Sequence, residues 1–541
     1  MIRTLPVSIV AFAAAIVTIL LYLPVLKYGF VHIDDPAYVQ NNPLITSLNL
    51  DTVLSAFSRS HVGWWMPLTW LSFAVDYHFW KLNPFGYHLT NILLHAVNSA
   101  LVVFIADQAC KVRGEDGERA IRPGYFYPGI LLVAGLCFGT HPLRVESVAW
   151  ITERKDVLNG IFCFASILFY LLFVEQKGNT SGKSRAALYY QLSLLCFVSS
   201  LMAKSTSVVL PVMLLVLDWS PLGRFDRKNV RTVLLEKVPY FVAAVLVTVF
   251  TLSIASQNQY LVTYESFPFT QRLAVSGNAI WEYCRLLLYP AGLSPFNIIP
   301  DPVPVVYTMK AFLVVIAAAW ILFAGISTRY KACLLFFILP LLPVLAFFQN
   351  GDQSYADRFT YLPSLSIVIF FTIFLVDRAS LVGTRREVLI LLVAVPVVFF
   401  FMFTTARQLA VWESTETYWT RVIDIEPLAI SYKERGRYYH LIGRYDAAVA
   451  DFNSAIERVT TTLKPYEYNL YAYRAESLQC ADHNDLAVID FTKAIAGLPH
   501  PAYFFHRGLA LRALGRAKDA DDDFRRAGPN PGQIGWFDKG I

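Results

Sequence analysis

The chain has 541 residues, of which 56% are hydrophobic and only 16% are charged, and its mean hydropathy is +0.46. Soluble domains carry about 25% charged residues, so this composition excludes a soluble globular protein and predicts a polytopic membrane protein. The net charge of +6 comes without a long Lys/Arg block, which argues against a nucleic-acid-binding surface. The seven cysteines have no metal-ligand spacing, so neither a disulfide framework nor a zinc site is indicated.

Eleven apolar segments lie before residue 410, and each approaches the length of about 20 residues that a membrane-spanning helix needs. They run over 5–25, 86–108, 124–142, 157–175, 186–203, 205–219, 238–255, 310–327, 332–349, 360–376 and 388–406. The first begins after Arg3 like a signal peptide, but no small-residue cleavage site follows it, so we expect an uncleaved span. We therefore predict an all-α membrane bundle over residues 1–410.

The distribution of Lys and Arg among the connecting loops predicts the orientation. One alternating set of loops is rich in both residues, and its members lie around 111–122, 177–185, 224–237, 329–331 and 378–386. Cytoplasmic loops carry such an excess, so we expect this set and the amino terminus in the cytoplasm. Eleven spans then place the carboxy-terminal region and the long loops 26–85 and 256–309 on the extracytoplasmic side. An error of one span would reverse the placement of the carboxy-terminal region.

Two adjacent acids, Asp34 and Asp35, follow the first apolar segment and lie in the first long extracytoplasmic loop. Ionised groups near hydrocarbon lose hydration and are costly to keep there without a purpose. We interpret the pair as the chemical centre of a membrane enzyme. The alternative is a solvated turn, because Asp-Asp-Pro is ordinary turn chemistry. The spacing does not decide which of the two acids would react.

Several cations are predicted on the same side of the membrane, close to the ends of apolar segments. They are His141, Arg144, Arg154, Lys155, Lys204 and Arg358. Cations at a membrane face can stabilise a phosphate leaving group, because a low dielectric strengthens their attraction, although each can also be a snorkelling interface anchor. Lys204 lies between two apolar runs and needs an anionic partner or an aqueous cavity. Glu146 and Asp156 are candidates for that partner, or are ordinary loop acids.

The region after Arg407 is polar and contains a repeat. The recurring positions are Gly436, Gly443, Ala448, Phe452 and Ala455, then Ala475, Asp482, Ala487, Phe491 and Ala494, then Gly508, Gly515, Ala520, Phe524 and Ala527. The offsets lie near the tetratricopeptide period of about 34 residues. We predict a tetratricopeptide α-solenoid of about three repeats over residues 411–541, whose concave face binds a peptide or protein partner. An unrelated helical hairpin bundle is the alternative.

Five strings in the predicted extracytoplasmic loops occur in a fixed order ahead of this repeat. They are "FVHIDDPAYVQNNPLI", "WWMPLTWLSFAVDYHFWKLNPFGYHLTNILLH", "HPLRVESVAWITERKDVLNG", "AKSTSVVLPVMLLVLDW" and "YADRFTYLPS". The ordered set resembles the transmembrane and tetratricopeptide-repeat-containing O-mannosyltransferases and their bacterial relatives, which belong to the GT-C superfamily of glycosyltransferases. The resemblance covers nearly the whole chain.

The resemblance implies a GT-C-like catalytic domain over residues 1–410 that transfers a sugar, with mannose or another hexose expected, from a polyprenyl-phosphate carrier to Ser/Thr hydroxyls of extracytoplasmic proteins (EC 2.4.1 class). It implies that Asp34 and Asp35 are catalytic, because an acid or acidic pair in the first extracytoplasmic loop is typical of the superfamily. The cations named above are the expected donor phosphate ligands, supported by Glu146 and Asp156.

No glycine-rich phosphate loop is present, which argues against a nucleotide-sugar donor. We expect no cofactor, and a divalent metal only if the donor is a diphosphate. The expected partners are the lipid-linked sugar, an acceptor protein or peptide and membrane lipid, with no nucleic acid, and the expected location is a bacterial inner membrane with the repeats in the periplasm. The alternatives are a transferase that uses a lipid-linked oligosaccharide or a non-protein acceptor, and a non-catalytic membrane-anchored scaffold.

Overall fold

The computed structural model describes residues 5–111, 127–177, 182–257, 267–348, 353–380, 384–459 and 468–529. The chain forms two compact units, Met1–Glu413 and Ser414–Ile541, which divide close to the predicted domain boundary. Parts of the predicted Lys/Arg-rich loops, including Arg113, Arg119 and Arg122, lie outside the described residues, as do 258–266 of the second long loop and 530–541 of the predicted repeat region.

The described part of the first unit contains fifteen α-helices and one two-stranded antiparallel sheet. The helices are α1 Val7–Tyr22, α2 Leu50–Ser58, α3 Pro67–Trp80, α4 Pro84–Lys111, α5 Tyr127–Gly139, α6 Val145–Ala149, α7 Arg154–Lys177, α8 Lys183–Ala203, α9 Leu210–Trp219, α10 Val230–Gln257, α11 Phe269–Leu288, α12 Val305–Phe323, α13 Thr328–Ile338, α14 Ser364–Ser380 and α15 Thr384–Leu409. The strands are β1 Asn297–Ile298 and β2 Gln353–Tyr355. The protein is a helical multi-pass membrane protein, as the composition predicts.

All eleven predicted spans contain helix in the described residues, but fewer are long enough to cross a membrane. Seven helices meet the length and composition of a span, and the bent pair Tyr127–Gly139 and Pro142–Ala149, with a 49° bend, can supply an eighth. Ser205–Trp219 and Ser364–Val376 are apolar but shorter. In the predicted span 332–349, α13 ends at Ile338 and continues as 3₁₀ turns, since Pro340 and Pro343 provide no backbone N–H for a longer helix.

Small residues allow the central helices to approach closely. Helix α4 packs against α1, α5 and α7. A side chain at Gly135 would collide with Val103 of α4 and Ala14 of α1, and one at Gly160 would collide with Tyr361. Close approach of backbones through glycine is a common way to pack membrane helices, because no hydrophobic driving force acts between them in lipid. The core that results carries the loops in which the predicted site residues lie.

The second unit consists of α16 Thr415–Ile425 followed by three helical hairpins in the described residues. The hairpins pair α17 Ala429–Leu441 with α18 Tyr445–Glu457, α19 Tyr468–Cys480 with α20 Asn484–Gly497, and α21 Pro501–Ala513 with α22 Ala517–Ala527. In the first and third hairpins the predicted small residue lies against the predicted Phe, as Gly436 lies against Phe452 and Gly508 against Phe524. Asp482 adopts a positive φ of 62°, in register with Gly443 and Gly515. The assignment of these hairpins to the tetratricopeptide class stays a prediction.

One ion pair recurs in every hairpin. Arg435 binds Asp451, Arg474 binds Asp490 and Arg507 binds Asp523, each through two hydrogen bonds of 2.6–2.8 Å. Each arginine also donates to a side chain of the preceding hairpin or helix, namely Thr420, Asn453 or Thr492. The pair therefore holds the two helices of one hairpin together and fixes them to the helix before.

We predict that Asp490→Ala destabilises the second unit by about 1.5–3 kcal/mol, because it removes a charge-assisted, two-pronged contact whose acid is only 4% exposed. Asp521→Ala is the matched control, since Asp521 is 65% exposed and makes one bond of 3.2 Å to Arg512. Thermal unfolding and limited proteolysis of the detergent-solubilised full chain measure the difference. Equal stability of the two variants would show that the recurring pair does not hold the hairpins.

Candidate functional site

Asp35 is a buried anchor between two segments of the first unit. Its carboxylate accepts hydrogen bonds from the backbone N–H of Val31 at 2.8 Å, the backbone N–H of Thr152 at 3.0 Å and the Thr152 hydroxyl at 2.5 Å. Its side chain has no solvent exposure. Burial raises the pKa of the Asp35 carboxyl to about 7, although the hydrogen bonds from Thr152 and Val31 oppose the shift. Asp35 therefore joins the first loop to the turn Ile151–Glu153.

Asp34 has a different environment. It is partly exposed, and its charged neighbours are Lys155, Glu153 and Arg358. Burial raises the pKa of the Asp34 carboxyl above its usual range, Lys155 and Arg358 lower it, and Glu153 adds to the increase. Because both carboxylate oxygens of Asp35 already accept intramolecular hydrogen bonds and its side chain is fully buried, Asp34 is the member of the pair that can meet a ligand. The structure thus separates two roles that the sequence left open.

The stretch between α5 and α7 is buried throughout. Every residue from 138 to 160 is buried, and this range includes six charged side chains, namely Arg144, Glu146, Glu153, Arg154, Lys155 and Asp156. Buried charges must be paired or hydrogen-bonded, because an unpaired one pays a large desolvation penalty. The chain breaks its helix at His141 and Pro142, forms the short α6, and turns again at Ile151–Glu153 before α7 begins. These two turns present the charges to the rest of the site.

Glu153 is the centre of an ion cluster. One carboxylate oxygen lies 3.0 Å from Lys155 Nζ and 3.4 Å from Arg358 Nε, and the other lies 3.7 Å from Lys204 Nζ. Asp156 binds Lys204, and Glu146 binds the Arg358 guanidinium and accepts from its backbone N–H at 2.8 Å. The cluster therefore combines three cations with three buried carboxylates.

Glu153 was not among the site residues predicted from the sequence, although it lies in the motif that contains Glu146 and Asp156. Spacing along the chain gave no reason to prefer it, since the turn Ile151–Glu153 that directs its side chain toward Lys204 and Arg358 is set by tertiary contacts. Its position directly before the adjacent cations Arg154 and Lys155 was the available signal. Of the two acids considered as partners of Lys204, Asp156 pairs with it, whereas Glu146 pairs with Arg358.

The cluster brings its cations from three separate elements. Lys155 is in the first turn of α7, Lys204 follows α8, and Arg358 lies in the 3₁₀ turn Asp357–Thr360. The pairing of β1 with β2 precedes that turn, and Gln353 of β2 accepts a 2.7 Å hydrogen bond from Arg358. The side chains of Lys155, Lys204 and Arg358 are 11%, 13% and 14% exposed, so each can still reach a ligand.

Arg154 does not join the cluster. It pairs with Asp76 at 2.6 Å and donates to Ser72 Oγ at 2.6 Å, to the carbonyl oxygen of Tyr87 at 2.8 Å and to Asn91. Its side chain has no exposure. The arginine fixes α7 against α3 and α4, so its geometry is that of a structural residue and not of a phosphate ligand.

Arg144 and His141 are also set apart from the exposed cations. Arg144 is fully buried, donates to Thr360 Oγ1 at 2.7 Å and stacks near Phe138 and Tyr361. His141 accepts from the Leu143 backbone N–H at 3.2 Å, and its other ring nitrogen lies 3.1 Å from the Leu287 carbonyl oxygen. Both ring nitrogens are therefore occupied. Within the described ranges no three His, Cys, Asp or Glu side chains form a group that could hold a metal ion.

Aromatic rings border the cluster. Lys155 Nζ lies 4.7 Å from the Tyr38 ring centroid and 5.8 Å from that of Trp150, and the Arg358 guanidinium lies 5.7 Å from Trp150 and 4.7 Å from Phe359. Cations over aromatic faces are attracted by the ring quadrupole. The arrangement thus offers partly exposed positive charge, an adjacent carboxylate and a wall of rings at one place in the first unit.

Comparison with known proteins gives a consistent set of relatives. No family model matches the chain. Over 168 residues, 30% of this chain and 18% of the relative, it is 32% identical to Protein O-mannosyl-transferase tmtc2 of Xenopus laevis. Over 219 residues, 39% of this chain and 23% of the relative, it is 30% identical to Protein O-mannosyl-transferase Tmtc1 of Drosophila melanogaster.

A longer match reaches most of this chain. Protein O-mannosyl-transferase TMTC4 of Homo sapiens is 21% identical over 415 residues, which cover 67% of this chain and 53% of that protein. The chain spans about a fifth of the length of the first two relatives and about half of the third. The resemblance that the motifs indicate is confirmed, since the curated homologues of this chain are TMTC-type protein O-mannosyl-transferases.

We predict that Asp35→Ala lowers the thermal stability and abundance of the chain, because each orphaned donor at Val31 and Thr152 costs about 1–3 kcal/mol. Asp34→Ala is the matched control and should lose much less, since Asp34 is the partly exposed neighbour. Fluorescence-detected size exclusion of the heated, solubilised protein measures both. If the two variants melt alike, Asp35 does not anchor the loop.

Proposed function

We propose that this chain is an integral-membrane glycosyltransferase that moves a hexose, with mannose the leading candidate, from a polyprenyl-phosphate carrier to Ser or Thr hydroxyls of proteins. The names of the homologues support transfer of mannose to protein, and the membrane-capable helices support a lipid-linked donor. The observation that carries the proposal is the partly exposed Asp34 beside Lys155 and Arg358. A candidate base, Asp34, and candidate phosphate ligands, Lys155 and Arg358, therefore lie close together.

In the proposed reaction Asp34 is the general base. It takes the proton of the acceptor hydroxyl while the hydroxyl oxygen forms a bond to the anomeric carbon of the sugar. The bond from that carbon to the phosphate oxygen breaks, and its electron pair leaves with the polyprenyl phosphate. A positioned base contributes about 10²–10⁴ in rate, and a raised pKa brings it closer to working pH. Asp35 positions the base by holding the backbone next to it.

The proposed phosphate ligands are Lys155, Lys204 and Arg358. All three are partly exposed, and they are held at separate points around Glu153. Preorganised cations stabilise developing negative charge without having to reorganise during the reaction. Glu146 and Asp156 fix the orientation of Arg358 and Lys204. A phosphate monoester carrier needs no metal in this scheme, whereas a diphosphate carrier would bring a divalent ion with it.

The remaining proposals concern placement and the acceptor. We propose that the amino terminus and the Lys/Arg-rich loops are cytoplasmic, as the charge bias indicates. With an odd number of spans, the site and the second unit are then extracytoplasmic, and we propose a bacterial inner membrane as the location. The helical hairpins of the second unit would bind the acceptor peptide, since stacked hairpins offer a concave surface for extended chains. A protein acceptor is favoured over a lipid acceptor by such a surface.

We predict that Asp34→Asn lowers transfer by about 10² or more at unchanged abundance, because the amide keeps the size of the side chain and removes its basicity. In the wild type the rate should fall as pH drops through the raised pKa of Asp34, since only the ionised base accepts a proton. Both effects are measured as initial rates of purified wild-type and Asp34→Asn protein. Farnesyl-phosphate-linked mannose is the donor, and membrane vesicles from cells that lack the gene supply the acceptor proteins. Full activity of Asp34→Asn would contradict the proposed base.

We predict that Lys155→Gln, Lys204→Gln and Arg358→Gln each raise the donor KM by about tenfold to a hundredfold, because a charge-assisted phosphate contact contributes about 1.5–3 kcal/mol. Lys310→Gln is the matched control, since Lys310 is also ion-paired, at 2.6 Å to Glu282. Arg154→Gln should instead lower abundance. An unchanged donor KM in all three site variants would show that these cations are interface anchors.

A further inference from the structure

Trp150 connects the proposed phosphate ligands to a second indole. Its ring lies within 6 Å of both Lys155 Nζ and the Arg358 guanidinium, at 5.8 and 5.7 Å, and its side chain is almost completely buried. The Trp412 ring stacks on it, with ring centroids 5.5 Å apart and planes inclined by 26°. Trp412 itself is 1% exposed. Two buried indoles therefore form a rigid support next to two of the three proposed ligands.

Trp412 belongs to a short segment that contacts both sides of the site. The segment is the 3₁₀ turn Ala410–Trp412, which follows α15. The backbone carbonyl oxygen of the next residue, Glu413, accepts a hydrogen bond of 3.4 Å from the backbone N–H of Gly29. Gly29 lies in the loop that leads to Asp34. The segment thus contacts Trp150, beside two of the proposed phosphate ligands, through Trp412. It contacts the loop that contains Asp34 through Glu413. Ser414, the first residue of the second unit, follows directly.

We propose that Trp412 is a positioning residue for the donor: through its stack on Trp150 it holds Lys155 and Arg358 where the phosphate of the donor binds. Stacked aromatic pairs stabilise their arrangement beyond simple burial, and a cation within about 6 Å of a ring is attracted to the ring face. The inference rests on the proposed function, since it assigns a role toward the same donor phosphate. It also places a determinant of donor binding on the segment that leads into the second unit.

The test compares donor kinetics and direct phosphate binding in full-chain variants. Trp412→Leu should raise the donor KM and the Kd of farnesyl phosphate by about threefold to tenfold, with kcat at saturating donor unchanged, because only the support of the ligands is lost. Trp412→Phe should restore most of the affinity, since it keeps an aromatic face toward Trp150. A structural role alone would lower abundance and leave the KM of the surviving protein unchanged.

Two controls separate this effect from general destabilisation. Trp419→Leu removes a buried indole from the second unit and should leave the donor KM unchanged. A flexible Gly-Ser insertion between Glu413 and Ser414 should also leave it unchanged, because the stack lies entirely within the first unit. If either change raises the donor KM as much as Trp412→Leu does, or if Trp412→Leu binds farnesyl phosphate like the wild type, the inference is overturned. Failure of the wild type itself to bind farnesyl phosphate would instead overturn the proposed function.

Discussion

The contact between Asp35 and Thr152 is the constraint on which the candidate site depends. Two hydrogen bonds from Thr152 to the buried Asp35 carboxylate join the loop after α1 to the turn before α7, and a third, from the Val31 backbone N–H, fixes the carboxylate within its own loop. The residue before Asp35 is the proposed base, and the residue after Thr152 is Glu153, which gathers the cations. The buried Asp35 therefore brings the proposed base Asp34 close to the ion cluster around Glu153. Local sequence alone would not place these two groups together.

The ion cluster offsets the cost of burying charged groups and leaves its cations partly exposed. Each of the carboxylates Glu146, Glu153 and Asp156 would be costly to bury alone, and each cation would be costly beside hydrocarbon. Pairing them keeps both inside the bundle, while partial exposure of the cations keeps them available to an anion. The fully buried Arg154 shows the contrast, since each of its three guanidinium nitrogens donates to α3 or α4 and its side chain has no exposure.

Much of the architecture could be predicted from the sequence, because it is encoded in periodic patterns. Apolar length indicated the membrane helices, and the spacing of Gly436, Phe452 and their equivalents indicated the hairpins. The left-handed conformation that Asp482 shares with Gly443 and Gly515 was not predicted. Fewer helices than the eleven predicted segments are long enough to span a membrane, because Ser205–Trp219 and Ser364–Val376 are short and Pro340 and Pro343 end α13 early. A single proline can end a helix, but it hardly changes the mean hydropathy of a segment of about 20 residues, so the apolar length does not reveal it.

The residue types of the candidate site could be predicted from the sequence, but the contacts that distinguish the individual residues could not. Composition and motif indicated the acids and cations. The roles proposed for Asp34 and Asp35 and the central position of Glu153 depend on contacts between residues more than a hundred positions apart, such as Asp35 with Thr152 and Glu153 with Arg358. The contacts of Arg154 with α3 and α4 are also distant in the sequence and were not predicted. The role proposed for Trp412 could not be predicted from the sequence, since it depends only on the stacking of Trp412 on Trp150.

The most direct measurement is an experimental structure of the full chain bound to a non-transferable analogue of a polyprenyl-phosphate-linked hexose. The account predicts that the phosphate lies in hydrogen-bond distance of Lys155, Lys204 or Arg358, with the anomeric carbon facing the Asp34 carboxylate. A phosphate bound elsewhere in the first unit, with these cations still held by Glu153 and its neighbours and Asp34 far from the sugar, would contradict it.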